Sequence, residues 1–154
     1  MKELKEFKVI LVLLVAALAV SCTVDTVCHT TKKIQAGIGV DEPWDTLTVR
    51  GIGSDSLIYD HAKNVKTFYV TLRADTNITQ FEIEWKHQLD TLSIRHIRDF
   101  QYVSIACGCN VYHVIDSVWS TQHFIKETII EDSDVQETVS GNEVTNIKLV
   151  VSEK

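Results

Sequence analysis

The stretch Gln80-Phe81-Glu82-Ile83-Glu84-Trp85-Lys86-His87-Gln88-Leu89-Asp90-Thr91-Leu92-Ser93-Ile94-Arg95 decides the fold class. Phe81, Ile83 and Trp85 alternate with Gln80, Glu82, Glu84 and Lys86, the period of a strand with one dry and one wet face. Leu92 and Ile94 repeat the alternation against Thr91, Ser93 and Arg95. For the two runs to pair as a hairpin, odd-numbered apolar residues of the first must share a face with even-numbered ones of the second. Opposed residue numbers then sum to an odd value, so the loop holds an even number of residues. A two-residue Leu89-Asp90 loop or a four-residue loop from His87 to Asp90 meets this condition, and a three-residue loop does not.

The same period extends both ways. Upstream, Ile34, Ala36, Ile38 and Val40 alternate from near Lys33, weakened by Gly37 and Gly39 and closed by Asp41-Glu42-Pro43. Leu47 and Val49 follow, then turn chemistry from Gly51 to Ser56, and Leu57-Ile58-Tyr59 as a return strand. Asp60 to Asn64 breaks the pattern before Phe68, Val70 and Leu72 face one way. Downstream, Phe100, Tyr102, Val103 and Ile105 lead into Cys107-Gly108-Cys109, and Val111 to Ile115 continue the run. Asp116-Ser117 is expected to turn the chain, and residues 121–131 fit a short helix as well as a strand. Ser140-Gly141-Asn142 reads as a hairpin turn between a strand near Val135–Val139 and a last one, Val144–Val151, in which Ile147, Leu149 and Val151 share a face. Seven to nine short strands rich in Thr, Val and Ile predict an all-β fold, an antiparallel, immunoglobulin-like β-sandwich.

The first 21 residues stand apart from this pattern. Lys2, Lys5 and Lys8 make a basic start, and Val9 to Val20 is a twelve-residue run without a polar side chain. That is the length of a secretory core and shorter than the roughly 20 residues that span a bilayer. The run ends in Leu18-Ala19-Val20-Ser21-Cys22, which looks like a bacterial lipobox, with cleavage before Cys22 and diacylation of its thiol. The alternative is an ordinary cleavage site that leaves Cys22 free for a disulfide. The expected organisation is a signal peptide over 1–21, a lipidated tether with a first strand over 22–43, and the sandwich over 44–154.

Removing the leader's three lysines and two glutamates from the 15 basic and 21 acidic residues leaves 12 and 19, a net charge of −7. An acidic chain of this kind argues against nucleic acid and against electrostatic docking on anionic lipid. Membrane attachment therefore falls to the acyl chains on Cys22, each buried CH₂ contributing about 0.8 kcal/mol.

Export places the thiols where disulfides form and persist. Beyond Cys22, three cysteines remain: Cys28, Cys107 and Cys109. Cys107 and Cys109 share a strand face and cannot easily bridge one another across one residue. A Cys28–Cys107 disulfide is expected, stabilising by about 4 kcal/mol in the chain-entropy model, with Cys28–Cys109 as its competitor. Cys109 is then a free, buried thiol.

Chemistry-bearing patterns are sparse. Cys28-His29 with Cys107 and Cys109 would make a Cys3His zinc set, which the oxidising compartment disfavours. His96 falls on the apolar parity of its strand, beside the expected positions of Phe81 and Ile83, and reads as a satisfied core-edge histidine. Glu131-Asp132-Ser133-Asp134 lacks the glycine and terminal glutamate of a calcium loop and reads as a solvated turn. Trp44, Trp85 and Trp119 could form a sugar-stacking platform, but core packing is the simpler assignment. These readings call for no metal and no cofactor. The expected function is a non-catalytic binding or assembly module, with an envelope protein or a glycan as partner. The alternative is a thiol-dependent or zinc-binding protein using Cys109, Cys107 and His29.

With lipobox Cys22, nearby Cys28 and late Cys107-Gly108 in view, the chain resembles the short, uncharacterised lipoproteins of Bacteroidota that form a domain of unknown function. Their pattern is a lipidated cysteine, a second cysteine within about ten residues, a run of strands and a late Cys-Gly followed by an aromatic. Cys109 departs from it, standing where an aromatic is usual, which favours Cys107 as the paired cysteine. The resemblance brings no activity. It implies the periplasmic face of the outer membrane, because Thr23-Val24-Asp25 lacks the acidic run of surface-exposed relatives. It also implies O-glycosylation at Asp-Ser/Thr-aliphatic triplets, placing candidate sites at Thr26, Thr46, Ser56, Thr91 and Ser117; the competing explanation is turn chemistry.

Overall fold

A computed structural model describes residues 34–54, 56–104, 108–135 and 144–152. Its strands are β1 (Ala36–Trp44), β2 (Leu47–Gly51), β3 (Leu57–Ala62), β4 (Val65–Val70), β5 (Ile78–Trp85), β6 (Gln88–Ser104), β7 (Gly108–Ser120), β8 (Ile125–Ile130), β9 (Asp134–Val135) and β10 (Ile147–Val151), with no helix among the described residues. They form a small sheet in the order β4-β1-β10-β8 and a large one in the order β3-β2-β5-β6-β7-β9. The fold is the expected β-sandwich, with ten strands among the described residues where seven to nine were expected. All pairings are antiparallel except β1 with β10.

The core lies between the sheets. Ala36, Ile38, Phe68, Val70, Ile147 and Leu149 line the small sheet's inner face, and Leu47, Val49, Phe81, Ile83, Leu92 and Ile94 the large one's. Each fully buried Leu, Ile or Phe contributes about 1.5–3 kcal/mol over leaving it in water. The β5–β6 hairpin obeys the parity argument, since Phe81 opposes Leu92 and Thr79 opposes Ile94. The loop itself falls elsewhere than expected. It is Lys86-His87, both at positive φ (49° and 60°), as a two-residue type I′ turn requires. Residues 88–90 are strand, Asp90 opposes Ile83, and Asp90 points into the core. Thr79, not Phe81 or Ile83, is the neighbour of His96.

Three other expectations give way, and one open choice is settled. β1 runs on through Pro43 to Trp44, because its register with β4 breaks between Gly39 and Trp44 and no regular ladder bond is asked of the proline. Asp116-Ser117 does not turn the chain: Arg95 opposes Ser117 and His96 opposes Ile115, so Asp116 is the extra residue of a bulge within β7. Of the two options for residues 121–131, the strand is found, as β8. Ser140-Gly141-Asn142 lies outside the described residues, and the described strands on either side of it, β9 and β10, do not pair with each other. β9 pairs with β7 in the large sheet, while β10 pairs with β1 and β8 in the small one.

One buried side chain stitches the sheets together where those strands diverge. Gly37 N–H donates to Asn146 Oδ1 (3.0 Å), and Asn146 Nδ2 donates to the carbonyls of Asp132 (3.2 Å) and Asp134 (3.0 Å). Gly37 is required there, because a side chain would run into the Val144 carbonyl oxygen. An Asn146→Ala variant, which strands the buried Gly37 N–H and removes the donor to two part-buried carbonyls, is expected to lose roughly 2–4 kcal/mol in urea unfolding. A loss below about 0.5 kcal/mol, the range of neutral surface changes, would refute this role.

Candidate binding groove

The sandwich has two unlike poles. At one, β6 and β7 run on beyond the last β5 pairing, Ile78 with Arg95, flanked by β9 at Val114 and His113, and then continue as a two-stranded arm as far as Ser104 opposite Gly108. At the other, β1 ends at Trp44, β5 ends at Trp85, and the β7–β8 connection closes over them.

Asp90 builds that second pole. Its side chain is fully enclosed (0% exposed). Oδ1 accepts from the Thr121 hydroxyl (2.6 Å) and His123 N–H (2.9 Å), and lies 3.1 Å from His123 Nδ1. Oδ2 accepts from the N–H groups of Phe124 and Ile125, both at 2.8 Å. Burial alone would raise the Asp90 pKa. The donors from Ile125, Thr121, His123 and Phe124 outweigh it and hold the carboxyl below the ordinary carboxylate value. The Thr121 hydroxyl in turn accepts from Thr91 N–H (2.9 Å), so the connection is laced onto β6.

Held this way, Phe124 packs edge-on against Trp44 at 5.8 Å and lies 5.9 Å from Trp85, while the two indoles stack at 4.9 Å. Trp44 is buried and Trp85 half-buried, with Lys86 Nζ 4.1 Å from the centre of the Trp85 ring. Beside them opens a groove of about 780 Å³, walled by Asp41, Asp45, Trp85, Lys86 and Val151. Asp41 pairs with Lys148 (2.7 Å), whose pKa is raised by that hydrogen bond, and Asp45 accepts from Asn64 N–H (2.9 Å). The groove thus offers an indole edge, anchored carboxylates and one ammonium, a set suited to a ligand rich in hydroxyl or amino groups. Trp119 is exposed on β7 opposite Ser93, near Arg95 and not in the groove wall, so the three tryptophans make no single platform.

A second enclosed polar cluster sits at the root of the arm. His96 Nδ1 and His113 Nδ1 are 3.0 Å apart, and His96 Nε2 is 2.9 Å from Thr79 Oγ1, which accepts from Arg73 N–H. Two ring nitrogens so close need one proton between them. With both rings neutral, the proton between them sits on either His96 Nδ1 or His113 Nδ1; in the first case Thr79 O–H donates to His96 Nε2, and in the second His96 Nε2–H donates to Thr79 Oγ1. His96 is thus the satisfied core histidine that its parity predicted. Burial, then the neighbouring His113 and Arg98, push its pKa down to about 4, and burial with Arg98 lowers that of His113.

The other sequence-derived positions scatter. Cys22, Thr26, Cys28, His29 and Cys107 lie outside the described residues. Cys109 stands in β7 opposite Tyr102. Thr46 and Ser56 are exposed beside turns, whereas Thr91 and Ser117 are half-buried within β6 and β7, where turn chemistry does not account for their triplets. Asp132 does cap a turn, accepting from Asp134 N–H (3.0 Å). Asp90, Thr121, Asn146 and His113 were not singled out from the sequence. Asp90 could have been found only by registering the hairpin on Lys86-His87.

Fold and groove define an all-β sandwich with a preformed pocket at one pole. A family model described as a family of unknown function (DUF6452) matches residues 46–150. The chain belongs to that family. No curated protein and no solved structure matches it.

Two measurements check the site. Asp90→Asn keeps the shape but turns an amide toward backbone donors, and is expected to cost roughly 2–4 kcal/mol at neutral pH. An unfolding midpoint equal to that of the wild type would exclude the Asp90 hub. In NMR titrations the His96 ring should report a midpoint of about 4 and His113 one below 6.5. Because both folded-state values lie below the unfolded one, stability is full above pH 6.5 and falls as the pH drops from there towards 4. Midpoints at the ordinary histidine value would contradict the enclosed pair.

Proposed function

We propose that this protein is a lipid-anchored module of the cell envelope that binds or assembles partners rather than catalysing a reaction. Cys22 carries the anchor, on the periplasmic face of the outer membrane. The observation that supports this reading is the polarity of β1, which starts at Ala36 on the arm side and ends at Trp44 in the groove wall. A chain tethered through its N-terminus presents the groove away from the anchor, where an envelope partner bearing hydroxyl or amino groups can reach it. Asp90 and the Trp44–Trp85–Phe124 cluster keep the groove shaped before binding, which reduces the ordering cost of association.

Two variants separate anchor from groove. Cys22→Ser should move the protein from membranes to the soluble fraction and abolish incorporation of radiolabelled palmitate; retention with label would exclude Cys22 as the anchor. Lys86→Glu, exposed at the groove rim, should lower recovery of the protein's envelope ligand about tenfold, equivalent to 1.4 kcal/mol. Equal recovery by wild type and Lys86→Glu, at equal unfolding midpoints, would sink the groove.

A further inference from the structure

Trp44 packs in the core and Trp85 walls the groove; Trp119 does neither. It stands on β7 opposite Ser93 of β6 and keeps 42% of its surface. Ser93 in turn opposes Gln80 of β5, and both alternate with Phe81, Leu92 and Ile94, which fill the core. Gln80, Ser93 and Trp119 therefore form one row across the outer face of the large sheet, turned away from the small sheet. Ile78, Arg95 and Ser117 make the next row on one side, and Arg50, Glu82 and Thr91 the next on the other.

The rows have a chemistry of their own. Ser93 faces outward and is nonetheless buried, with Gln80 Nε2 donating to its hydroxyl (3.0 Å). Its two cross-strand neighbours, the Gln80 amide and the Trp119 indole, are the side chains placed to close it off, so the indole lies low over the sheet and turns a face outward. The Arg95 guanidinium is 5.8 Å from the centre of that ring, beyond the roughly 3.5–4 Å of direct packing, and flanks the indole without covering it. Arg50 and Arg95 are matched by Glu82 and Glu84 on the same face, which is thus balanced in a chain of net charge −6.

We propose that this face binds a neutral oligosaccharide, with one pyranose ring lying on the Trp119 indole. The C–H side of a sugar ring is apolar and slightly positive, which suits the negative face of an indole. Its hydroxyls need donors and acceptors at the rim of that contact. The Gln80 amide supplies both, and the Arg95 guanidinium supplies donors. A charged ligand meets no opposing field on a balanced face, and nucleic acid is repelled by the chain as a whole. A protein partner calls for an apolar centre within a polar rim, whereas here a single indole stands among polar side chains. The site is separate from the groove and needs neither the groove nor the anchor.

The indole N–H resonances of the mature protein test it, followed as cellohexaose, maltohexaose or chitohexaose is added. The Trp119 signal, identified by its loss in Trp119→Ala, should shift with at least one of the three, with a dissociation constant on the order of 1 mM. The Trp44 and Trp85 signals should stay in place. Read from the Gln80 side-chain amide, Trp119→Ala should weaken binding of that sugar at least about tenfold, and Trp119→Phe, which keeps a ring, should weaken it less. Trp119 is exposed, so both variants should unfold at the wild-type midpoint. No shift with any of the three sugars, a shift confined to Trp85, or equal binding by wild type and Trp119→Ala overturns the proposal. The responding indole tells the two sites apart, since a sugar in the groove moves Trp85 and leaves Trp119 unchanged.

Discussion

A single buried carboxylate organises the Trp-walled end of this sandwich. Asp90 stands on the core parity of β6, where an apolar residue is ordinarily found, opposite Ile83. A charge there would be prohibitive if unpaired, and enclosure by protein donors is what makes it stable. The Thr121 hydroxyl and the N–H groups of His123, Phe124 and Ile125 converge on it, so four backbone or hydroxyl donors that a tight connection would otherwise bury unsatisfied find one acceptor. Phe124 is thereby fixed under the indole stack, and the stack shapes the groove. The charge and the aromatic cluster are parts of one construction.

The opposite pole uses neutral polar groups to the same end. Asn146 links β1 to the β8–β9 region, and the Thr79–His96–His113 chain fills the large sheet's core face just where the arm departs. Both are networks in which each partner is satisfied, and both sit at places where a regular ladder stops. Beyond them the arm continues on its own β6–β7 pairing, with aromatic residues in the position that the small sheet's side chains occupy further down. β1 thus runs from this pole towards the groove at the other.

The sequence carried the architecture through its period of two. Alternation in Phe81, Ile83 and Trp85 and in Leu92 and Ile94 was enough to demand a hairpin with an even loop, because a one-residue slip would turn every core residue into water. It was not enough to place that loop. Asp90-Thr91 looks like turn chemistry, and Lys86-His87 carries none of the Asn or Gly that usually marks a type I′ turn. The decisive fact, that Asp90 finds its donors in residues 121–125, lies more than thirty residues away and has no local signature. The same reason explains Asp116-Ser117, which forms a bulge, and Val135, which joins β7 rather than β10. Pairing partners distant in sequence decide such points.

By itself, then, the sequence determined an all-β sandwich, the buried face of the β5–β6 hairpin and of the last strand, the buried state of His96, and the expectation of a leader over residues 1–21. These rest on side-chain period and composition, which are local. Tertiary structure alone decided the register of β5 on β6, the parallel pairing of β1 with β10, the Asp90 hub, the His96–His113 contact and the union of Trp44 with Trp85 into one groove wall. Each of those joins groups far apart in the chain. Their energies come from satisfying buried donors and excluding water, and neither can be evaluated until the partners have met.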